Sequence, residues 1–135
     1  MLMLVRELAN FERAPDEVTI TAAEFEERGF GANPIYWAFV AEVEGVVVGF
    51  ALYYIRFSTW KGARMYLEDI LVTEAWRGKK IGTLLFDRLI VEAKAKQLNG
   101  ISWQVLEWNE SAIAFYRKYN ASFDAEWVNC SITFG

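Results

Sequence analysis

The pattern of hydrophobic and polar residues predicts a helical start to the chain. Apolar residues recur at helical spacing within residues 1–11, so this segment is expected to form a helix. Residues 21–24, Thr-Ala-Ala-Glu, have the form of a capping box and predict a second, short helix that runs to about Arg28. Gly29 and Gly31 are expected to end that helix.

A block of strands follows. Stretches rich in β-branched and aromatic residues predict strands at 36–43, 46–57 and 64–72. Glu44-Gly45 predicts a tight hairpin turn between the first two strands, and the loop before the third carries Trp60.

The remainder of the chain alternates helix and strand. The predicted elements are a helix over 83–98, a strand over 101–106, a helix capped by Asn109 or Ser111 that runs to 119, and a final strand or hairpin over 123–134. This order predicts an α/β fold with a mixed sheet, of the α+β kind, in a single domain over residues 1–135.

The composition narrows the available chemistry. The 135 residues include no His and one Cys, Cys130. A Ser-His-Asp hydrolase, a Cys-His protease and a zinc enzyme are excluded on these grounds, and no metal is expected. Any general base must be a carboxylate, a tyrosine, a water or the substrate itself. Cys130 is expected to be a buried strand residue and not a nucleophile.

The charge of the chain bears on its partners. A net charge of -4 argues against a nucleic-acid partner and mildly favours a cationic or amine substrate. The aromatic content of 16% predicts aromatic side chains in a pocket or an interface. No signal peptide and no apolar run of about 18 residues is present, so we expect no membrane partner and a cytoplasmic location.

The junction between the third strand and the long helix is cationic and contains two glycines. Its sequence is Arg77-Gly78-Lys79-Lys80-Ile81-Gly82. Free backbone N–H groups and the dipole at a helix N-terminus favour an anion such as a phosphate, and glycine lets the backbone approach it closely. An ordinary loop with solvated cations is the alternative, because neither the dinucleotide-binding nor the P-loop motif is present.

Two carboxylates and a tyrosine are the candidate proton-transfer groups. Glu68 and Asp69 lie within the third strand, where neighbouring side chains point to opposite faces, so at most one is expected to face a given site. Burial would raise the pKa of such a carboxyl toward a value useful for a base, whereas a salt-bridged structural acid is the alternative. Tyr116, about two turns into the last helix, could donate a proton, although a core role is more common.

A third group of residues could recognise a cation. Trp60, Glu126 and Trp127 combine aromatic faces with a carboxylate, a combination that suits a cationic ligand. Core or interface tryptophans are the alternative.

Two motifs together resemble a known enzyme family. The segments YLEDILVTEAWRGKKIG and EWNESAIAFYRKYNA, in that order, are similar to the GNAT N-acetyltransferase superfamily. Within it, the most similar branch is diamine (spermidine/spermine) acetyltransferase with its thialysine-acetylating relatives, which GFALYYIRFSTWKG also resembles. The similarity extends from about Leu4 to Trp127 and implies a GNAT-like acyl-CoA N-acyltransferase fold.

The resemblance implies an acetyl-CoA-dependent N-acetyltransferase that transfers acetyl directly to a primary amine in a ternary complex. The acceptor would be a small cationic molecule: a diamine, a polyamine or a lysine-like amino acid. The residues implied to bind acetyl-CoA are Leu71, Val72, Arg77, Gly78, Lys79, Lys80, Ile81, Gly82, Asn109 and Ser111.

The resemblance also implies catalytic and acceptor-binding roles. Glu68 would accept a proton from the acceptor amine through water, and Tyr116 would protonate the departing CoA thiolate. The residues implied to hold the amine are Asp69, Trp60, Glu126 and Trp127.

Several positions depart from the family pattern. Lys80 stands at a usual glycine, and Asn120 stands at another, where a left-handed residue after a helix suits asparagine. Ser58 stands where polyamine-specific members carry an acid, which favours a smaller amine. The family begins with a strand that precedes its first helix, whereas this chain starts within that helix. The fold is therefore expected to lack the first strand, and its sheet edge to be available to a partner.

Relatives of this branch are homodimers, so a homodimer is expected. Two alternatives remain at this point. The enzyme could acetylate an amine of a protein or peptide, or the chain could be a non-catalytic acyl-CoA-binding module. The presence of both Glu68 and Tyr116 favours catalysis.

Overall fold

The computed structural model of the protein describes residues 1–125 and 127–134. The chain divides into two compact units, Met1–Gln104 and a second that starts at Val105. The elements of the first unit are α1 (Leu2–Phe11), α2 (Ala22–Phe30), β1 (Trp37–Val43), β2 (Val46–Ser58), β3 (Gly62–Val72), α3 (Ile81–Ala95) and β4 (Ile101–Trp103), with single 3-10 turns at Pro15–Glu17 and Glu74–Trp76. The second unit contains α4 (Glu110–Arg117).

The four strands form one mixed sheet in the order β1-β2-β3-β4. β1 and β3 both pair antiparallel with β2, and β4 pairs parallel with β3. The parallel pair requires a crossover, which α3 provides. This arrangement confirms the predicted mixed α/β sheet.

The β1–β2 hairpin closes through the residues that the sequence suggested. Glu44 and Gly45 both have left-handed backbones, with φ of 52° and 81°. Two consecutive positive φ values are the requirement of the two-residue turn that matches the twist of the strands.

Helices α1 and α3 pack on the sheet and form the hydrophobic core with it. On α1, Leu4 packs with Phe50, Leu52 and Leu71 of the sheet. The buried residues of α3 are Leu85, Phe86, Leu89 and Ala93. The Phe86 ring meets Trp103 of β4 edge-to-face at 5.4 Å.

Several predicted boundaries differ from those observed. Thr21 caps α2 as expected, by accepting a hydrogen bond from the Glu24 N–H at 3.1 Å, but the helix continues through Gly29 to Phe30, with Gly31 as its C-cap. β4 is only three residues long, because no more of it pairs with β3. In the second unit, α4 ends at Arg117, and Asn120 has the expected left-handed backbone, with φ of 57°.

The predicted final strand over 123–134 is wrong for the residues that the structure describes there. Residues 123–125 and 127–134 have no strand structure and no described strand pairs with them. A strand needs a neighbour for its backbone N–H and C=O groups, so hydrophobic residues alone do not form one. Cys130, expected to be buried, is exposed for the same reason.

Candidate active site

A β-bulge in β3 shapes the carboxylate pair. Leu52 of β2 lies opposite Asp69, and the next residue, Tyr53, lies opposite Leu67, so Glu68 is an extra residue in the register. A bulge interrupts the simple alternation of side chains and re-aims them. The sequence analysis assumed the regular alternation of a strand for Glu68 and Asp69, whereas the register is irregular at this point.

Asp69 is the more buried of the two carboxylates. Burial, followed by the neighbouring charges of Glu68 and Glu12, raises the pKa of Asp69 from 3.8 to about 6. Burial also raises the pKa of Glu12, which follows the last residue of α1. We call Glu12, Glu68 and Asp69 the acidic patch. Three nearby carboxyls favour either a bound cation or a shared proton.

Two tyrosines adjoin the acidic patch. The Tyr54 hydroxyl donates to Glu68 Oε2 at 3.3 Å, and the Tyr54 ring lies 5.2 Å from that of Tyr66. Burial, reinforced by Glu68, raises the pKa of Tyr54 to about 12, so this phenol remains protonated at neutral pH. The Arg56 guanidinium lies 5.4 Å from the centre of the Tyr66 ring. An acid and a cation therefore flank a pair of aromatic rings.

The edge of β3 beyond the acidic patch is open on one side. β4 pairs only with Met65, Tyr66 and Leu67. From Glu68 to Val72, in the described part of the chain, β3 has a strand neighbour only in β2. Leu71 in this stretch is buried in the core, whereas Val72 is partly exposed. The backbone groups of this stretch that have no strand partner can pair with a ligand that lies alongside the strand, but the Val72 carbonyl already accepts from Arg77 Nε at 2.9 Å.

The cationic turn has the backbone expected of an anion site. Gly78 has φ of 77°, and the space where its Cβ would lie is empty to 4 Å. Lys80 also has a left-handed backbone, with φ of 65°, and it immediately precedes the first residue of α3, Ile81. No side chain caps α3, so its first N–H groups, from Ile81 and Gly82 onward, point out of the helix. The left-handed backbone explains why glycine suits position 80.

The cations of the turn differ in what they contact. The Lys79 ammonium lies 5.8 Å from the centre of the Trp76 ring and is exposed. Arg77 donates from Nε to the Val72 carbonyl at 2.9 Å, and its Nη2 lies 3.4 Å from Glu7 Oε2. Arg77 is thus engaged with the protein itself.

In the second unit, Asn109 and Ser111 form the cap of α4. The Asn109 side-chain oxygen accepts from the Ala112 N–H and from the Ser111 hydroxyl, each at 3.2 Å. The predicted N-cap role of Asn109 is confirmed. Tyr116 on the same helix is 6% exposed, and its ring lies edge-on to Phe115 at 5.5 Å.

The tryptophans proposed to bind a cation are exposed. Trp60 is 86% exposed in the β2–β3 loop, where Ser58 Oγ accepts from the N–H groups of Trp60 and Lys61 at 3.2 Å. Trp127 is also exposed, and its indole N–H donates to Asp124 at 3.1 Å. Neither is a core residue, which removes the core alternative and leaves the interface alternative open. Glu126 lies outside the described residues.

The structure brings Glu68, Asp69 and the cationic turn into one unit, joined by the short open stretch of β3. The sequence analysis missed Glu12, Tyr54, Tyr66, Arg56 and Glu7. The repeated tyrosines on paired strands were visible in the sequence, but only the register shows that Tyr54 lies opposite Tyr66. Glu7 lies on α1 and Glu12 follows its last residue, and nothing local points to their distant neighbours.

Comparison with known proteins defines the family. The chain matches the acetyltransferase (GNAT) family over residues 2–121. It is 36% identical over 140 residues to thialysine N-epsilon-acetyltransferase of Bos taurus, which covers 96% of this chain and 82% of that protein. It is 37% identical over 128 residues to spermidine/spermine N(1)-acetyltransferase-like protein 1 of Homo sapiens, with 90% of this chain and 18% of that protein covered.

Solved structures show the same fold. An aminoglycoside acetyltransferase from an uncultured soil metagenomic sample matches with a TM-score of 0.78 at 18% identity, over 99% of this chain and 88% of that one. An integron cassette protein of V. cholerae matches with a TM-score of 0.75 at 25% identity, over 95% of this chain and 81% of that one.

The chain therefore belongs to the GNAT acetyltransferase family. It is an acetyl-CoA-dependent N-acetyltransferase, as the two sequence motifs predicted. Among the residues that the structure describes, no helix is long and apolar enough to cross a membrane. The same residues contain no group of three His, Cys, Asp or Glu side chains able to hold a metal ion.

Proposed function

We propose that this enzyme acetylates the primary amine of a small cationic acceptor, and that a lysine-like amino acid suits it better than a long polyamine. The observation that carries the proposal is the acidic patch at the β3 bulge, one short stretch of strand away from the cationic turn. Opposite charges at the two ends of this stretch suit the two substrates, a cationic amine and an anionic cofactor. The relatives named for thialysine and for spermidine/spermine support an amine acceptor.

The cofactor site that we propose fits the residues present. The open edge of β3 at Leu71 and Val72 would hold the pantetheine arm, and Gly78, Lys79, Lys80 and the start of α3 would hold the diphosphate. The empty space beside Gly78 and the uncapped helix N-terminus support this placement. The resemblance also implies that Asn109 and Ser111 bind the cofactor, and both belong to the proposal. Acetyl-CoA supplies an activated acyl group, so the protein has only to position it and move protons.

The protein would promote transfer through proton movements. The acceptor arrives as an ammonium ion, which has no lone pair for attack, and the acidic patch attracts it. Glu68, exposed and bonded to Tyr54, would take the proton through a water molecule. The freed amine nitrogen forms a bond to the acetyl carbon as the bond from that carbon to sulfur breaks. Tyr116 would give its phenolic proton to the leaving thiolate, and the second proton of the acylated nitrogen would pass through water to the Tyr116 phenolate.

The preference for a lysine-like acceptor follows from two residues on β2. The Ser58 side-chain oxygen accepts hydrogen bonds from the β2–β3 loop. The residue carries no charge that could pair with a distant second amine. Arg56 places a positive charge beside Tyr66. A guanidinium pairs well with an amino-acid carboxylate and repels the far ammonium of a polyamine. Trp60 and Trp127, with Glu126, would complete the binding of the acceptor.

The test is a panel of acceptors at fixed acetyl-CoA, with release of free CoA thiol as the signal. The panel contains thialysine, lysine, putrescine and spermidine. We expect kcat/KM to be highest for thialysine or lysine, and Arg56→Gln to shift the preference toward putrescine. A wild-type preference for spermidine that Arg56→Gln leaves unchanged would contradict the proposed acceptor class. We also propose that the chain is a single domain and acts in the cytoplasm. Its exposed aromatic residues support a homodimer.

A further inference from the structure

One carboxylate on α1 contacts the start of the cationic turn at three points. Glu7 Oε1 accepts from the Thr73 hydroxyl at 2.8 Å. Glu7 Oε2 accepts from the Glu74 N–H at 3.3 Å and lies 3.4 Å from Arg77 Nη2. These contacts join residues that are 66 to 70 positions apart in the chain. A side chain with three partners on one short segment restricts the path of that segment.

The charge of Glu7 is unexpected at this place. The turn is where we propose an anionic diphosphate to bind, and a carboxylate nearby would repel it. Arg77 offsets that charge, and its other contacts keep it in place. Its Nε donates to Val72, and its guanidinium lies 5.7 Å from the centre of the Phe11 ring on α1. The guanidinium is therefore held by β3 and α1 and by Glu7 itself.

We infer that Glu7 and Arg77 form a neutral brace that positions the cofactor turn, and that Arg77 does not bind the diphosphate directly. This inference rests on the proposed placement of acetyl-CoA at the turn. Glu7 is then a positioning residue, and Lys79, Lys80 and the N-terminus of α3 meet the phosphates. Arg77 assists cofactor binding by neutralising Glu7 and by holding the strand end.

The inference predicts an unusual result for a double variant. Arg77→Gln leaves Glu7 uncompensated near the diphosphate, so the Kd for acetyl-CoA should rise about fivefold to tenfold at low salt. Adding Glu7→Gln removes the exposed negative charge while keeping a hydrogen-bond acceptor for Thr73. The double variant should then bind acetyl-CoA within about threefold of the wild type, since such a pair is not additive.

The experiment is a calorimetric titration of acetyl-CoA into wild type, both single variants and the double variant, at low and moderate salt. A double variant that binds acetyl-CoA as weakly as Arg77→Gln alone, or more weakly, would overturn the inference. That result is expected if Arg77 contacts the phosphates itself, because removing the charge of Glu7 does not restore a lost phosphate contact. Failure of the wild type to bind acetyl-CoA would instead overturn the proposed function, and the inference with it. Thermal melts of each variant confirm that it is folded.

Two further variants separate positioning from general stability. Glu7→Ala loses the anchors to Thr73 and Glu74, so KM for acetyl-CoA should rise several-fold while kcat and the KM for the amine stay within about twofold. A matched control is Glu92→Ala on α3, which makes the same truncation and removes the same charge from pairs with Arg88 and Lys96. The control should leave all three parameters unchanged. If Glu7→Ala lowers kcat and raises both KM values to a similar extent, Glu7 has a structural role only.

Discussion

Replacement of Asp69 by asparagine should stabilise the protein at neutral pH while it impairs the acceptor site. The Asp69 carboxyl is partly buried beside two other carboxyls, and its pKa is raised from 3.8 to about 6. The folded state therefore holds a proton on this group more tightly than the unfolded state does. Below about pH 4 the Asp69 carboxyl is protonated in both states and does not change the free energy of unfolding. As the pH rises from about 4 through 6, the carboxyl ionises in the unfolded state while it stays protonated in the folded state, and this difference progressively destabilises the fold.

The size of the effect follows from the difference between the two pKa values. That difference corresponds to about 3 kcal/mol of lost stability above pH 6, at 1.36 kcal/mol for each pKa unit. Asparagine has nearly the same shape and no charge, so Asp69→Asn should recover up to this amount at pH 7–8 and almost none at pH 4. For a chain of this length, 3 kcal/mol corresponds to roughly 10 °C in the midpoint of thermal unfolding.

The assay is thermal unfolding of wild type and Asp69→Asn at several pH values from 4 to 8. Other carboxyls titrate in both proteins, so the difference between the two midpoints isolates Asp69. We expect this difference to grow with pH and to level off above about pH 6.5. Glu12→Gln, which removes one of the neighbouring charges, should give a smaller gain of the same sign. A difference that is constant over the whole range, or a destabilised variant at pH 8, would refute this reasoning.

Three other substitutions test the site. Lys80→Gly should raise the midpoint of thermal unfolding by about 2 °C, because a non-glycine residue with φ of 65° is strained. The control is Lys79→Gly, at an ordinary φ, which should not raise the midpoint. Glu68→Gln should change the acidic limb of the pH dependence of kcat/KM, and an unchanged limb near pH 6 would transfer the role of base to Asp69. Tyr116→Phe should lower kcat about a hundredfold with little effect on the Kd for acetyl-CoA, whereas equal losses in both would indicate a packing role for this buried ring.

Local sequence signals were sufficient for much of the fold. The capping box at Thr21, the Glu44-Gly45 turn and the left-handed Asn120 each depend on a few adjacent residues, and all three lie where the pattern predicted. The strand predicted over 123–134 fails in the described residues because a strand depends on a distant neighbour that a local pattern cannot supply.

The candidate site was predictable in its residue types but not in its arrangement. Glu68 and Asp69 were singled out, yet the bulge that groups them depends on the register between β2 and β3. The raised pKa of Asp69 depends on burial, on Glu68 and on Glu12, which is 57 positions away in sequence from Asp69. The brace between Glu7 and Arg77 likewise depends on how α1 packs on the sheet.

The most direct test of the account is the mass spectrum of thialysine after incubation with the enzyme and acetyl-CoA. The account predicts one acetyl group on the side-chain amine, with one free CoA thiol released for each acetyl transferred. Fragment ions distinguish the side-chain amine from the α-amine, and Glu68→Gln should slow product formation at neutral pH. Saturable binding of acetyl-CoA without an acetylated product, from thialysine or from any amine of the panel, would contradict the central claim.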